Sequence, residues 1–291
     1  YSYVGGVEGK PMPSTIKVPT MQELLEAGVH FGHQTRRSDP RMMRFIFGER
    51  DGVHIINLEQ SEAKLKEACE FVYDLGKNGK VLLFVGSKKQ AQPLIEEAAT
   101  RVKAPYVTFK WMGGLLTNFD EIKKNINKLN ALKEEKAKGE LTRYTKKEQL
   151  LITRKLVRFE LQWGGVASME GIPAAIFVVD SVGEKTAVNE ATRVGIPVVA
   201  ISDSNSNPLI ISHPIPGNDD ATKSLKILID AVADSYGKGL QDGGIVVGTV
   251  KPADSESKPE ETVGAVIATE VAVAEEEVEK KVLAESERKV V

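Results

Sequence analysis

An uninterrupted run of five apolar residues at 81–85 is the strongest local pattern in the sequence. A run without alternation is typical of a strand covered on both faces, as in a parallel sheet. Gly86 and Ser87 then turn the chain into a polar segment that can begin a helix. The pattern predicts the strand, turn and helix of an α/β fold, with Lys88 and Lys89 at a helix N-terminus that favours phosphate. It leaves open whether that phosphate belongs to a nucleotide or to RNA.

Similar strand and helix patterns recur along the chain. Thr20 and Glu23 form a capping box for a helix over 21–27, which Gly28 ends. Three successive β-α steps predict a doubly wound parallel sheet of the flavodoxin or Rossmann type. The predicted elements are strands at 53–58, 81–85, 106–109, 174–179 and 196–201, helices running to about 77 and to about 102 and over 184–194, an irregular loop at 204–217, and a last helix that begins at Asp219 or Asp220 and ends at Gly237.

The alternation of strands and helices stops between residues 119 and 163. Apolar residues recur there at three- and four-residue steps on either side of Gly139. This spacing predicts two helices packed as a short antiparallel coiled coil. The predicted domains are a flexible arm at 1–19, a discontinuous α/β domain at 20–117 and 171–240, an inserted coiled-coil hairpin at 118–170, and an acidic, disordered tail at 241–291.

Composition narrows the class of protein. The 291 residues are 41% hydrophobic and 27% charged, as in a globular protein, and no apolar run reaches the ~18 residues of a membrane span. The first twenty residues lack the pattern of a secretory signal. The only cysteine, Cys69, excludes an internal disulfide and lies on an apolar helix face, so we expect it to be buried. Residues 249–291 carry six basic and eleven acidic residues, so the first 248 residues are mildly basic.

Nucleotide-binding enzymes are the first functional class to consider for such a fold. The sequence contains neither GxxxxGK[ST] nor GxGxxG, and Gly86-Ser-Lys-Lys resembles a phosphate loop only loosely. No catalytic set of serine, histidine and aspartate can be assigned from the sequence. An α/β enzyme that binds a phosphosugar or a nucleotide at the Gly86 turn stays open as the alternative, because fold does not fix function.

Four residues have the chemistry of metal ligands. Asp203 follows a predicted strand, and Asp219 and Asp220 begin a helix, so they belong to the edge where α/β sheets place their sites. His33 adds a nitrogen donor. The ordinary alternative is that the aspartates cap a helix or form a loop and that the histidine is structural.

Basic and aromatic residues are interleaved in two segments. The first contains Arg36, Arg37, Arg41 and Arg44, followed by Phe45 and Phe47, and the second combines Lys110 and Trp111 with Gly113 and Gly114. Arginine binds phosphate through a planar fork and stacks on bases, which suits irregular RNA. The aromatic residues are equally compatible with a core. The predicted hairpin adds twelve basic and seven acidic residues between 120 and 160, although a solvated helix face would explain many of them.

Four blocks of sequence together resemble the bacterial-type small-subunit ribosomal proteins of the S-two family. They are EAGVHFGHQTRR at 26–37, FVGSKKQA at 84–91, WMGGLLTNF at 111–119 and IPGNDDA at 215–221, in family order. The resemblance covers about 21–239. The sequence departs from the family pattern at Ala174, at Ser181-Val-Gly and in the loop at 204–210, which concerns local contacts and not the fold.

The resemblance implies a structural protein without catalysis. It implies binding to small-subunit ribosomal RNA between head and body, a part in late subunit assembly, and docking of the messenger-binding S-one family protein beside other ribosomal proteins. The protein would be cytoplasmic, in the ribosome, without a membrane partner and not a homo-oligomer. The predicted RNA contacts are Arg36, Arg37, Arg41, Arg44, Lys88, Lys89, Lys110, Trp111, Asn118, Lys123, Lys124, Arg154, Lys155 and Arg158. The resemblance requires no cofactor, but implies that His33, Asp203, Asp219 and Asp220 can hold a structural divalent ion, zinc or magnesium.

Overall fold

The computed structural model of the chain describes residues 18–244, which form seven helices and eight strands. The helices are α1 (Met21–Glu26), α2 (Leu58–Lys77), α3 (Gln92–Arg101), α4 (Phe119–Ala137), α5 (Lys146–Trp163), α6 (Lys185–Val194) and α7 (Thr222–Asp242). The strands are β1 (Phe31–Gln34), β2 (Ile46–Arg50), β3 (Val53–Ile56), β4 (Leu82–Val85), β5 (Tyr106–Val107), β6 (Ala175–Val179), β7 (Val198–Ser202) and β8 (His213–Pro216).

Five strands form one parallel sheet in the order β5-β4-β6-β7-β8. This is the strand order of flavodoxin-like folds, and its switch point lies between β4 and β6. Every residue of β4 is buried, and its side chains alternate between two cores. Leu82 and Phe84 pack with α2, α3 and α7, whereas Leu83 and Val85 pack with α4 and α6. The predicted doubly wound α/β fold is confirmed.

The strand predicted at 53–58 forms at Val53–Ile56, but it does not belong to the parallel sheet, so its predicted place in that sheet was wrong. It is β3, the middle strand of a separate three-stranded antiparallel sheet in the order β1-β3-β2. Asp51 and Gly52 join β2 to β3 with φ angles of 53° and 76°. Two positive φ angles are the mark of a type I′ hairpin turn, which pairs neighbouring strands locally. The Asp-Gly dipeptide was the sequence signal for this hairpin.

The segment 204–217, predicted as an irregular loop, contains the edge strand β8. Pro214 and Pro216 lie in this strand two residues apart, so their nitrogens face the same side. The next residue, Gly217, has its N–H on the opposite side, where it donates to the carbonyl of Ser202 in β7 at 3.1 Å. The prolines therefore face outward, which only an edge strand permits.

Helix α7 begins later and ends later than the sequence predicted. The Asn218 side chain, not an aspartate, accepts the N–H groups of Asp220 and Ala221 ahead of the helix. The helix continues through Gly237 to residue 242. Helices α2 and α7 contact each other closely at Gly76, where a Cβ would lie only 2.5 Å from the carbonyl oxygen of Tyr236. Glycine on α2 and α7 thus permits close helix contact rather than ending a helix.

Two long helices, α4 and α5, lie between β5 and β6, where the hairpin was predicted. Apolar residues of α4 and Leu156 of α5 belong to the same buried cluster. Lys133 of α4 and Glu160 of α5 form an ion pair at 2.7 Å. A capping box of Thr145 and Glu148 begins α5. The coiled-coil form of this pair and the proposed domain boundaries stay predictions.

Other local predictions are confirmed. The Thr20–Glu23 capping box begins α1. Cys69 is fully buried, and burial raises the pKa of its thiol to about 11. Within residues 18–244, no helix is long and apolar enough to cross a membrane. The predicted arm at 1–19 and tail at 241–291 lie almost wholly outside the described residues.

Candidate nucleic-acid interface and adjoining polar cluster

Residues 35–45, called the arginine loop below, connect β1 to β2 through two short 3₁₀ turns, Thr35–Arg37 and Pro40–Phe45. Asp39 caps the second turn by accepting the N–H of Arg41 at 2.8 Å. Because a side chain satisfies this N–H group, the turn has a defined start. The loop is therefore a folded element with a fixed backbone path.

Two buried side chains and one long-range hydrogen bond hold the arginine loop on the domain. Met42 is fully buried and Phe45 is 4% exposed. Asp39 donates its N–H to the carbonyl of Ser204 at 2.8 Å. Phe45 is thus a core residue, whereas Phe47 on β2 is 79% exposed. The position of the loop is set by packing, independently of any ligand.

The side chains of Arg36, Arg37, Arg41 and Arg44 are all exposed. The Arg44 guanidinium lies 4.6 Å from the centre of the Phe45 ring. The Arg41 guanidinium lies 4.0 Å from the Asp39 carboxylate, and an exposed pair at that distance contributes little. The loop therefore presents a group of cations to solvent on an anchored backbone, as a phosphate-binding surface requires.

The turn after β4 differs from the phosphate-binding turn that the sequence suggested. Ser87 donates its N–H to the Glu184 carboxylate at 3.0 Å, and Glu184 is only 4% exposed. An enzyme of this fold would place a ligand phosphate at such N–H groups at the switch point. An internal carboxylate occupies that place here, which disfavours the phosphosugar or nucleotide alternative.

Lys88 in the same turn is paired within the fold. Its ammonium lies 2.8 Å from the Asp219 carboxylate and 2.6 Å from that of Asp220. Burial acts to lower the pKa of Lys88, but the hydrogen bonds to both aspartates outweigh it and raise the pKa. Lys89, the next residue, is exposed. Of the two lysines, only Lys89 points its charge toward solvent.

The polar cluster, defined as His33, Asp203, Asp219, Asp220 and Lys88, joins β1 to the carboxyl edge of the parallel sheet. His33 Nδ1 lies 3.0 Å from Asp203, and His33 Nε2 lies 3.5 Å from Asp220. Asp219 donates its N–H to Asp203 at 3.4 Å. The structure thus brings together all four residues that the sequence proposed as metal ligands.

Charge and burial perturb the titration of this cluster. The contact with Asp203 raises the pKa of His33 in spite of its burial. Burial, followed by the nearby Asp203 carboxylate, raises the pKa of Asp219 to about 6. Burial acts to raise the pKa of Asp220, but its bond to Lys88 prevails and lowers it. The three carboxylates are therefore held close together only with the help of Lys88 and His33.

The donor set of the polar cluster fits a divalent ion. One ligand atom each from His33, Asp203 and Asp219 can be chosen so that all lie within 4.8 Å of one another. His33 Nδ1 is buried and faces the Asp203 carboxylate, so an ion that displaced its proton would meet a nitrogen donor beside carboxylate oxygens. One imidazole and two carboxylates suit zinc better than magnesium. Lys88 competes for Asp219 and for Asp220.

The glycine-containing segment 111–117 folds around Glu190, a residue of α6 that sequence reasoning missed. The Trp111 indole and the backbone of Gly114 donate to Glu190 Oε1 at 3.1 and 2.9 Å. Trp111 is only 7% exposed, so its indole is directed into the protein. A lone glutamate on a helix gives no sequence signal for this role, since it resembles any surface charge.

The remaining predicted RNA contacts lie on the surface. Exposed side chains are those of Lys89, Lys110, Asn118, Lys123, Lys124, Arg154, Lys155 and Arg158. Some have partners within the chain: Lys123 donates to the carbonyl of Glu170 at 3.1 Å, and Lys124 pairs with Glu121 at 2.5 Å. Lys155 lies 5.5 Å from the centre of the Phe159 ring. Their part in RNA binding stays a prediction.

Comparison with known proteins gives a consistent result. The family model described as ribosomal protein S2 matches residues 24–239. The small ribosomal subunit protein uS2 of Acidothermus cellulolyticus is 46% identical over 249 residues, covering 85% of this chain and 90% of the relative. The proteins of the same name from Micrococcus luteus and Wolinella succinogenes are 48% and 45% identical, covering 77% and 83% of this chain and 79% and 90% of the relatives. The chain therefore belongs to the ribosomal protein S2 family.

Proposed function

We propose that this chain is a structural constituent of the small ribosomal subunit and that it binds small-subunit ribosomal RNA through the arginine loop. Its membership of the ribosomal protein S2 family and the name of its relatives support the first part. The observation that carries the second part is that Arg36, Arg37, Arg41 and Arg44 are exposed on an anchored loop. No catalytic step is proposed.

The proposed mechanism is neutralisation of phosphates by positioned cations. Exposed guanidinium groups on a fixed backbone pair with phosphates through two hydrogen bonds each and lose little conformational freedom on binding. Shape, rather than base sequence, would account for most of the recognition, because irregular RNA is recognised through its backbone and splayed bases. Lys89, Lys110, Asn118 and the basic side chains of α4 and α5 would extend the surface. Lys88 would contribute less, since two aspartates already neutralise it.

The proposal also has finer parts, which rest on the four sequence blocks that resemble the S-two family. They are a position between head and body of the subunit, a part in late assembly, and docking of the S-one family protein beside other ribosomal proteins. The chain would then reside in the cytoplasm as part of the ribosome. Subunits purified from cells depleted of this chain should carry less S-one family protein. Normal amounts of that protein would contradict the docking part alone.

We further propose that the polar cluster holds a structural zinc ion, with His33, Asp203 and Asp219 as ligands and Asp220 beside them. The ion would replace part of the charge neutralisation that Lys88 now supplies, and it would tie β1 to the sheet edge. Elemental analysis of the purified, dialysed chain should find about one zinc per chain. The variant Asp203→Asn should lose it. Absence of zinc from the unsubstituted chain, with no rise in melting temperature on adding zinc, would contradict this assignment.

The primary experiment is fractionation of a cell lysate on a sucrose gradient, with this chain followed by mass spectrometry. The proposal predicts that the chain migrates with the small subunit and remains there at moderate salt. High salt should release it, because phosphate contacts weaken steeply with ionic strength. Recovery of the chain only at the top of the gradient would contradict the proposed function.

A further inference from the structure

Glu190 accepts hydrogen bonds from several residues of the segment 111–117. Its Oε2 accepts the backbone N–H groups of Leu116 and Thr117 at 3.2 and 3.4 Å, and the Thr117 hydroxyl at 3.2 Å. With Trp111 and Gly114 on Oε1, five donors from one short segment converge on one carboxylate. Few side chains could replace such a contact, because both oxygens act as acceptors.

The backbone of this segment has the form of an anion-binding nest. Gly114 has a φ of +93°, a conformation that an L side chain rarely adopts. The N–H groups of Gly114, Leu116 and Thr117 point to one place, while the Leu115 N–H between them bonds to the carbonyl of Met112. A nest of this kind binds phosphate in many proteins, but here the side chain of Glu190 fills it. Burial acts to raise the pKa of Glu190, and the N–H and indole donors lower it instead, so the carboxylate is held ionised.

Exposed polar residues flank the nest on both sides. Lys110 precedes it, and Asn118 follows it as the residue before α4, with no capping bond from its side chain. Both are among the predicted RNA contacts. Their backbone positions depend on the conformation of segment 111–117. The buried side chains of Trp111, Leu115 and Leu116 anchor this segment, and the hydrogen bonds to Glu190 hold its backbone.

We propose that Glu190 is a positioning residue for RNA binding: it fills the nest of segment 111–117 and thereby sets Lys110 and Asn118 in place. This inference rests on the proposed function, since it assumes that the chain binds ribosomal RNA. It also gives Trp111 a role as a donor to Glu190, instead of a platform for a base. An ionised carboxylate is required, because glutamine has one acceptor oxygen and would turn an NH₂ group toward N–H donors.

The test compares affinities of the full chain for isolated small-subunit ribosomal RNA, measured by filter binding. Glu190→Gln should weaken binding about fivefold, the effect expected for losing charge-assisted hydrogen bonds that order a contact segment. The same substitution in a Lys110→Gln/Asn118→Ala background should have almost no further effect, because the residues that it positions are gone. Glu67→Gln on α2 is the matched control for the change of charge and should bind as the unsubstituted chain does.

Amide hydrogen exchange supplies a readout that does not depend on RNA. In Glu190→Gln the amides of Gly114, Leu116 and Thr117 should exchange about tenfold faster, while those of β4 and β6 keep their protection. Unchanged affinity, or an equal loss in the Lys110→Gln/Asn118→Ala background, would overturn the positioning role, as would unchanged exchange. Failure of the unsubstituted chain to bind the RNA would instead overturn the proposed function, and this inference with it.

Discussion

Lys88 and the arginine loop are both basic elements at predicted phosphate contacts, but their surroundings differ. Lys88 lies at the edge of the parallel sheet, within 2.8 Å of two carboxylates, and the adjoining Ser87 N–H is bonded to a third from Glu184. The four arginines lie in the arginine loop, which connects β1 to β2 of the small antiparallel sheet, and they are exposed. Only one of them, Arg41, has a carboxylate within 4.0 Å among the ion pairs found in the described part of the chain.

The difference shows that the partners of a cation decide its availability to an external phosphate. At the sheet edge, internal carboxylates occupy the places where a nucleotide-binding enzyme of this fold would hold its ligand. The basic groups there stabilise the fold. In the arginine loop the backbone that carries the cations is held by Met42, Phe45 and Asp39, and only Arg41 has a carboxylate as near as 4.0 Å among the ion pairs of the described residues. The comparison predicts a large effect on RNA binding from the arginines, and effects on stability from the sheet edge.

The largest effect is expected from the combined substitution of Arg36, Arg37, Arg41 and Arg44 by glutamine. It should lower affinity for small-subunit ribosomal RNA about 100-fold at physiological salt and reduce the slope of log affinity against log salt by about 3, because several phosphate contacts are lost. Filter binding over a salt series measures both. A matched variant with glutamine at the exposed residues Lys66, Lys77, Lys80 and Lys226 should bind nearly as well as the original.

The substitution Lys88→Met should have a smaller effect than the arginine variant, and it should act on the stability of the fold instead of on RNA affinity. Asp219 is 2% exposed and lies beside Asp203, so removing its cation leaves buried negative charge without compensation. The free energy of unfolding, measured with urea, should fall by about 2 kcal/mol. Lys89→Met, one residue away and exposed, should change it little. If Lys88→Met left stability unchanged but lowered RNA affinity tenfold, Lys88 would be an RNA contact and not a stabilising residue of the fold.

Glu184→Ala tests whether the sheet edge is closed by its own carboxylate. Loss of the bond to Ser87 should cost about 1 kcal/mol of stability. Millimolar phosphate should restore part of that loss in the variant, since the free Ser87 N–H at the switch point would donate to a bound anion. Phosphate should leave the unsubstituted chain unchanged. Strong stabilisation of the unsubstituted chain by phosphate would instead favour the nucleotide or phosphosugar alternative.

The smallest effect is the pH dependence of the Glu190 contribution. The pKa of Glu190 is lowered from its usual 4.5, so its contribution to stability is present above that value and is lost as pH falls through the lower, folded-state pKa. The stability difference between the unsubstituted chain and Glu190→Gln should therefore be constant above about pH 5 and shrink toward more acidic pH. Urea unfolding at a series of pH values measures it. A difference that grows on acidification would contradict the assignment.

The central fold was predictable from local pattern, because the buried run at β4 and the capping box at α1 need no distant partners. The antiparallel sheet was missed although Asp51-Gly52 marks a hairpin turn, since its strands are short and half-exposed. Strand β8 was missed because its two prolines suggested a loop, and only its edge position accommodates them.

The sequence allowed us to predict which residues belong to the candidate sites, but not which residues they contact. The sequence identified His33, Asp203 and Asp219, which the fold brings together. It did not predict that Lys88 is neutralised or that Glu184 and Glu190 are acceptors for backbone N–H groups. Such contacts join residues more than seventy positions apart, and a lone charged residue carries no mark of its partner.

The most direct test of the central claim is a competition for incorporation into ribosomes. Cells would express the unsubstituted chain and the variant with glutamine at Arg36, Arg37, Arg41 and Arg44 under different tags, and mass spectrometry would compare their ratio in purified small subunits with that in the lysate. We expect the arginine variant to be depleted at least about tenfold, given the affinity lost with phosphate contacts, while the lysine control is incorporated normally. Equal incorporation of the arginine variant and the unsubstituted chain would contradict the claim that the arginine loop binds ribosomal RNA.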